Sequence, residues 1–241
     1  MLRLALLLLL AGTPGFAQTA DLPDFPAVPA VPARPKVHAR SEWNARKAKP
    51  IEADEKKERI IVHHTDILIE DAVKLLRGTE SWKASAEHAK AVQRLHMSVN
   101  GWDDVGYHYL VDWEGRILEG RKLDSLGAHT EDHNPGSIGI AVMGNFEAQH
   151  PTRKQLQALR DLADWLSWAY GFPPERILGH KDFNATACPG RWLLDNDDKD
   201  TPLRLIRLSI LAERQLSKKK VPAISHERLA PPFDAADVTW R

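Results

Sequence analysis

Seven residues near the middle of the chain, Ser137-Ile-Gly-Ile-Ala-Val-Met143, form a near-continuous apolar run of strand length. A strand without polar alternation has to be covered on both faces, so it belongs in the middle of a sheet. The sequence supplies both neighbours and cover. Segments 59–64, 107–112, 116–119 and 176–178 are short strand candidates, and Trp113-Glu114-Gly115 between the second and third reads as a hairpin turn. Leu156, Leu159, Leu162, Ala163, Leu166 and Ala169 recur at helical spacing behind a Thr152/Gln155 capping box, with Gly171 placed to end the helix. Segments 84–97 and 202–216 read as two further helices. About five short strands interleaved with helices predict a single α/β domain with a mixed central sheet flanked by helices.

The ends of the chain read differently. Met1-Leu2-Arg3 precedes an apolar run from Leu4 to Ala11, too short to span a bilayer as a stable helix. Gly15 and Ala17 then sit at −3 and −1 of a cleavage site, with Ala20 as a second option, so residues 1–20 read as a secretory signal. An uncleaved membrane anchor is the competing reading. Pro23, Pro26, Pro29, Pro32 and Pro35 recur at every third position, giving an extended linker over 21–37. The domain then occupies 38–216, and 217–241 reads as a tail, either loosely attached or packed across the domain through Trp240. A cleaved signal implies a secreted, periplasmic protein with no stable membrane insertion. Lys plus Arg and Asp plus Glu number 33 each, so no strongly basic balance points to nucleic acid. Without a coiled-coil pattern the expected state is a monomer.

Cys188 is the only cysteine in the sequence. It cannot form an internal disulfide, and an unpaired thiol in an oxidising compartment needs a role. His63 and His64 close the strand candidate at 59–64, and His180 follows the one at 176–178. Two imidazoles and a thiolate suit zinc, whose catalytic sites use three protein ligands and keep one position open. By spacing alone, histidines at a polar surface explain the pattern as well, because the chain has 11 of them.

Motifs in order add a second line. His63-His64-Thr65, Gly106-Tyr107-His108-Tyr109, Gly127-Ala128-His129-Thr130, Ser137-Ile138-Gly139-Ile140, and Gly179-His180 followed by Thr186-Ala187-Cys188-Pro189-Gly190 resemble the type 2 N-acetylmuramoyl-L-alanine amidases, in particular their peptidoglycan recognition protein branch. Arg40-Ser41-Glu42-Trp43 fits upstream. The resemblance implies a Zn2+ ion held by His63, His180 and Cys188, with peptidoglycan or muropeptides as partner. The implied reaction is hydrolysis of the amide between N-acetylmuramic acid and L-alanine. Tyr107 and Thr186 fall at catalytic positions of the family. His96, Tyr107 and His129 fall at positions that touch the muramyl peptide. His64, on the opposite face of the strand, reads as structural.

One departure matters. Glu119-Gly120-Arg121 continues with Lys122-Leu123, where many recognition proteins have Gly-Trp, so the preferred stem peptide stays open. Some recognition proteins bind peptidoglycan without cutting it, which is the alternative to an enzyme. Retention of Cys188 and Tyr107 favours catalysis. For Tyr107 itself, simple packing at the head of a strand is the competing role. A purely structural zinc would want a fourth protein ligand.

Overall fold

The computed structural model describes residues 31–67 and 81–220. The expected signal, most of the Pro-rich segment and nearly all of the expected tail, including Trp240, lie outside the described residues. Among those described, no helix is long and apolar enough to cross a membrane.

Among the described residues, six strands form one mixed sheet. They are β1 (Val37–His38), β2 (Arg59–His64), β3 (Tyr109–Val111), β4 (Ile117–Glu119), β5 (Ser137–Val142) and β6 (Ile177–Gly179), in the order β1-β4-β3-β5-β2-β6. Only the β3–β4 hairpin is antiparallel; β5 and β2 run parallel to each other and to their outer neighbours. The expected α/β domain with a mixed sheet is therefore present, with one strand more than the five expected. β1 spans two residues against the edge strand β4, too short for periodicity to reveal. It also starts the sheet at Val37, just inside the expected linker.

Every residue of β5 is buried, as its apolar run requires. Helix α1 (Ser81–Arg94) covers one face; α2 (Arg153–Ala169) and α3 (Pro202–Lys220) cover the other. Strand alternation sorts the side chains. Ile60 and Val62 of β2, with Ile138, Ile140 and Val142 of β5, pack with Leu159, Leu162, Leu166, Ile206 and Ile210. Leu110 and Leu118 turn to the other face and pack with Ala84, Ala89, Val92 and Trp43. Each large aliphatic side chain so buried contributes about 1.5–3 kcal/mol.

The start of α2 is fixed by the expected capping box. Thr152 accepts from the Gln155 N–H at 3.1 Å, and Gln155 accepts from the Thr152 N–H at 3.0 Å. The Gln155 amide also donates to the Met143 carbonyl at 2.7 Å, tying the helix to the end of β5. Gly171 sits at φ +72° beyond the last turn, the left-handed conformation that ends helices.

Two helix ends differ from the sequence reading. α1 ends at Arg94, and the chain widens into a π-helical turn over Leu95–Val99 instead of continuing to residue 97. α3 continues through Lys220, past the expected end at 216. No proline interrupts it before Pro222, and Arg214 ties its last turns to Asp164 of α2 at 2.7 Å.

Candidate metal centre

The sheet places His63 and His64 on opposite faces at the carboxyl end of β2, between β5 and β6. His64 points toward α2, where its Nδ1 accepts from the Phe146 N–H at 3.2 Å. This is the structural role expected of it. His63 points to the α1 face. There β5 presents Gly139 and Ala141 in register with Ile61 and His63, and their small side chains leave room for imidazoles.

His180 follows β6 directly, in a short 3-10 turn. Asp182 caps that turn by accepting from the Gly179 N–H at 2.8 Å. The loop then folds back so that the Lys181 N–H donates to the Cys188 carbonyl at 2.9 Å. His180 and Cys188 are thereby held on one side of a closed loop. His63, His180 and Cys188 each offer a ligand atom, all within 4.8 Å of one another, and they are the one such group found among the described residues. The Nδ1 of His63 lies 3.6 Å from the Cys188 sulfur.

The donor set fits zinc. Burial pushes the pKa values of His63 and His180 down, so both rings are neutral and have a lone pair to give. With only protein around it, burial pushes the Cys188 thiol up to about 12, against the pull of the His64 backbone N–H. A dication at this point supplies the charge that turns such a thiol into a thiolate. Two nitrogens and one sulfur match the ligand preference of zinc with a fourth position left open.

Other side chains expected from the sequence gather here. The Tyr107 ring lies 5.1 Å from that of His63 and 5.4 Å from that of His96. Burial raises the Tyr107 phenol above its usual pKa, so its hydroxyl keeps its proton at neutral pH. The π-helical turn carries His96, whose Nδ1 accepts from the Gly106 N–H at 2.9 Å. Its neutral ring therefore carries its proton on Nε2. Trp102 packs on the same ring at 4.6 Å. Thr186 is half-buried and its hydroxyl accepts from the Cys188 N–H at 3.2 Å. His129 is buried, with Nδ1 3.1 Å from His63 Nε2.

Some supporting residues were not anticipated. Asn134 accepts from the His129 and Thr130 backbone N–H groups at 2.8 and 2.9 Å. An Asn just before a Pro in a loop is a readable turn signal, though not one that reveals its partners. The His64 N–H that reaches the sulfur at 3.4 Å is a backbone group, which no residue pattern discloses.

The family model described as N-acetylmuramoyl-L-alanine amidase matches residues 53–191. An N-acetylmuramoyl-L-alanine amidase of Sus scrofa is 32% identical over 168 residues, which is 67% of this chain and 26% of that protein. The chain thus spans about a quarter of that relative's length. Among solved structures, the amidase LysC from Clostridium intestinale is similar with a TM-score of 0.57 and 25% identity, over 73% of this chain and 98% of that one. A mutant of Drosophila peptidoglycan recognition protein LB in complex with tracheal cytotoxin has a TM-score of 0.56 and 26% identity, over 64% of this chain and 88% of that one. The match to more than half of the chain, spanning all three candidate ligands, makes this protein a member of the N-acetylmuramoyl-L-alanine amidase family.

Proposed function

We propose that this protein is a zinc-dependent hydrolase that cleaves the amide between N-acetylmuramic acid and L-alanine in peptidoglycan, acting outside the cytoplasm after export. The observation that carries the proposal is the convergence of His63, His180 and Cys188 within 4.8 Å beside Tyr107.

His63, His180 and Cys188 would hold the ion. When bound, zinc supplies Lewis acidity toward the scissile carbonyl and acidifies water. The protein's own groups do the remainder. Tyr107 carries a hydroxyl that stays protonated at neutral pH, so it can donate to an oxyanion; one such donor is worth about 3–4 kcal/mol. His96 presents Nε2–H to a muramyl peptide, its Nδ1 being engaged by Gly106. Thr186 braces the Cys188 amide, which supports a positioning role over proton transfer. Tyr107, His180, Thr186 and Cys188 are all half-buried, so the site reaches solvent.

The test is release of stem peptides bearing a free L-alanine amine from purified peptidoglycan, with and without chelator. Release that disappears on chelation and in Cys188→Ala is the expected result. Full release by metal-free Cys188→Ala sinks the proposal. Binding without release moves the protein to the recognition branch of its family.

A further inference from the structure

His129 lies beneath the candidate ligands. Its Nδ1 is 3.1 Å from Nε2 of His63 and 2.9 Å from the Thr130 hydroxyl. Its ring lies against two glycines. A Cβ at Gly139 would meet the ring at 2.3 Å, and one at Gly127 would meet it at 2.6 Å. Both positions are therefore glycine because an imidazole fills the space above them. Asn134 fixes the backbone on which the ring sits. Among the described residues, His129 Nε2 is buried without a hydrogen-bond partner.

These contacts settle the proton positions if the ion binds as proposed. His63 turns Nδ1 toward Cys188, so that nitrogen keeps its lone pair for the metal and Nε2 carries the hydrogen. The nearest acceptor to that hydrogen is His129 Nδ1, at 3.1 Å against 3.4 Å for the Thr130 hydroxyl. The proton of the neutral His129 ring then sits on Nε2, where it has no partner. A ring kept only to fill space would be better served by an apolar side chain than by one with a stranded N–H. The compensating contact is the one made to His63. Metal-bound histidines characteristically donate their second ring N–H to a carboxylate, carbonyl or water, which fixes tautomer and orientation.

We infer that His129 is a positioning residue: a neutral histidine that accepts the His63 Nε2–H and so holds His63 in the tautomer and orientation that present Nδ1 to the metal. This role rests on the proposed zinc site and is separate from the substrate contact implied by family resemblance.

The test measures zinc affinity of the full chain by competition with a chromophoric chelator, without reference to activity. Leu and Asn are close in size, but only Asn has an acceptor near the Nδ1 position. His129→Leu is expected to bind zinc about 10–100-fold more weakly, while His129→Asn stays within about threefold of the parent chain. Unchanged affinity in His129→Leu overturns the inference, as does an equal loss in both variants, which would mean packing alone. Nitrogen-15 NMR of the zinc-loaded parent chain gives an answer even if the Leu variant does not fold. A proton on His63 Nε2 with coupling across to His129 Nδ1 is expected, and an unprotonated Nε2 overturns the inference. A parent chain that binds no zinc sinks the proposed function too; a parent that binds zinc beside an unaffected Leu variant sinks only the role of His129.

Discussion

The backbone N–H of His64 reaches the sulfur of Cys188 at 3.4 Å. The strand that turns the His63 side chain toward the site thus also supplies, one residue on, a donor for the third candidate ligand. An N–H aimed at sulfur favours the thiolate over the thiol. It opposes, without cancelling, the burial that pushes this group up to about 12. The donor is main chain, so the contact survives any substitution at position 64 that keeps the strand.

Substituting the sulfur is therefore expected to separate metal binding from folding. Cys188→Ser should lose more zinc affinity than the roughly 10–100-fold typical of an outer hydrogen bond. Its far-ultraviolet circular dichroism should be unchanged, because the loop is also held by the Lys181–Cys188 backbone bond. Equilibrium dialysis with atomic absorption reads the first quantity. Zinc retained at parental affinity would remove Cys188 from the ligand set.

Tyr107→Phe addresses the reaction instead of the metal. Loss of one oxyanion donor is expected to lower kcat about 10²–10³-fold while the zinc content per chain stays the same. Steady-state kinetics on soluble muropeptides, with metal analysis of the same samples, makes the comparison. A kcat within a factor of about two of the parent would mean that this ring only packs.

Gly139→Ala tests the floor of the site. The added methyl meets the His129 ring at 2.3 Å. Overpacking of this kind typically costs about 1–3 kcal/mol, and urea unfolding should show it as an earlier midpoint at constant slope. Thr152→Ala provides the contrast. Loss of the α2 cap should cost about 1 kcal/mol yet leave zinc affinity untouched. Parental stability of Gly139→Ala would show that the ring moves freely.

Acid should destabilise the protein well before its carboxylates protonate. Burial holds His88 at about 4, His96 at about 4 and His108 at about 3, all below the ordinary 6.5. Below 6.5 the unfolded chain binds protons at these rings and the native chain does not. Their contribution to stability is thus complete above 6.5 and is lost as the pH falls toward the native values. Each ring adds a slope of up to about 1.4 kcal/mol per pH unit. Urea titrations in chelator between about pH 7 and pH 4.5 measure it, and a flat profile there would contradict the burial of these neutral rings.

The legible part of this protein was set by periodicity and by chemically distinctive side chains. The run at 137–143, the Thr152/Gln155 cap and the hairpin around Gly115 announce themselves because one residue pattern permits few backbones. His63, His180 and Cys188 stand out because thiol and imidazole are scarce and reactive. Strand β1 was not legible, since two residues carry no period. The π-helical turn at 95–99 was not legible either, because a widened turn needs no different residues. It nevertheless points His96 at the Gly106 amide. The dual engagement of Gly139 and Gly127 by one ring belongs to tertiary contact alone, although both glycines were visible in their motifs.

Strand β2 is the second strand made but lies between the last two, β5 and β6. A ribosome delivers His63 early and then has to synthesise residues 137–142 and 177–179 before either edge of its strand is covered. His180 and Cys188 emerge only after that. The nascent chain therefore has no half-built version of this site, and a fragment stopping short of β6 leaves β2 with one bare edge and His63 with neither companion. Zinc uptake by this protein would then mark the moment at which the whole sheet has been assembled.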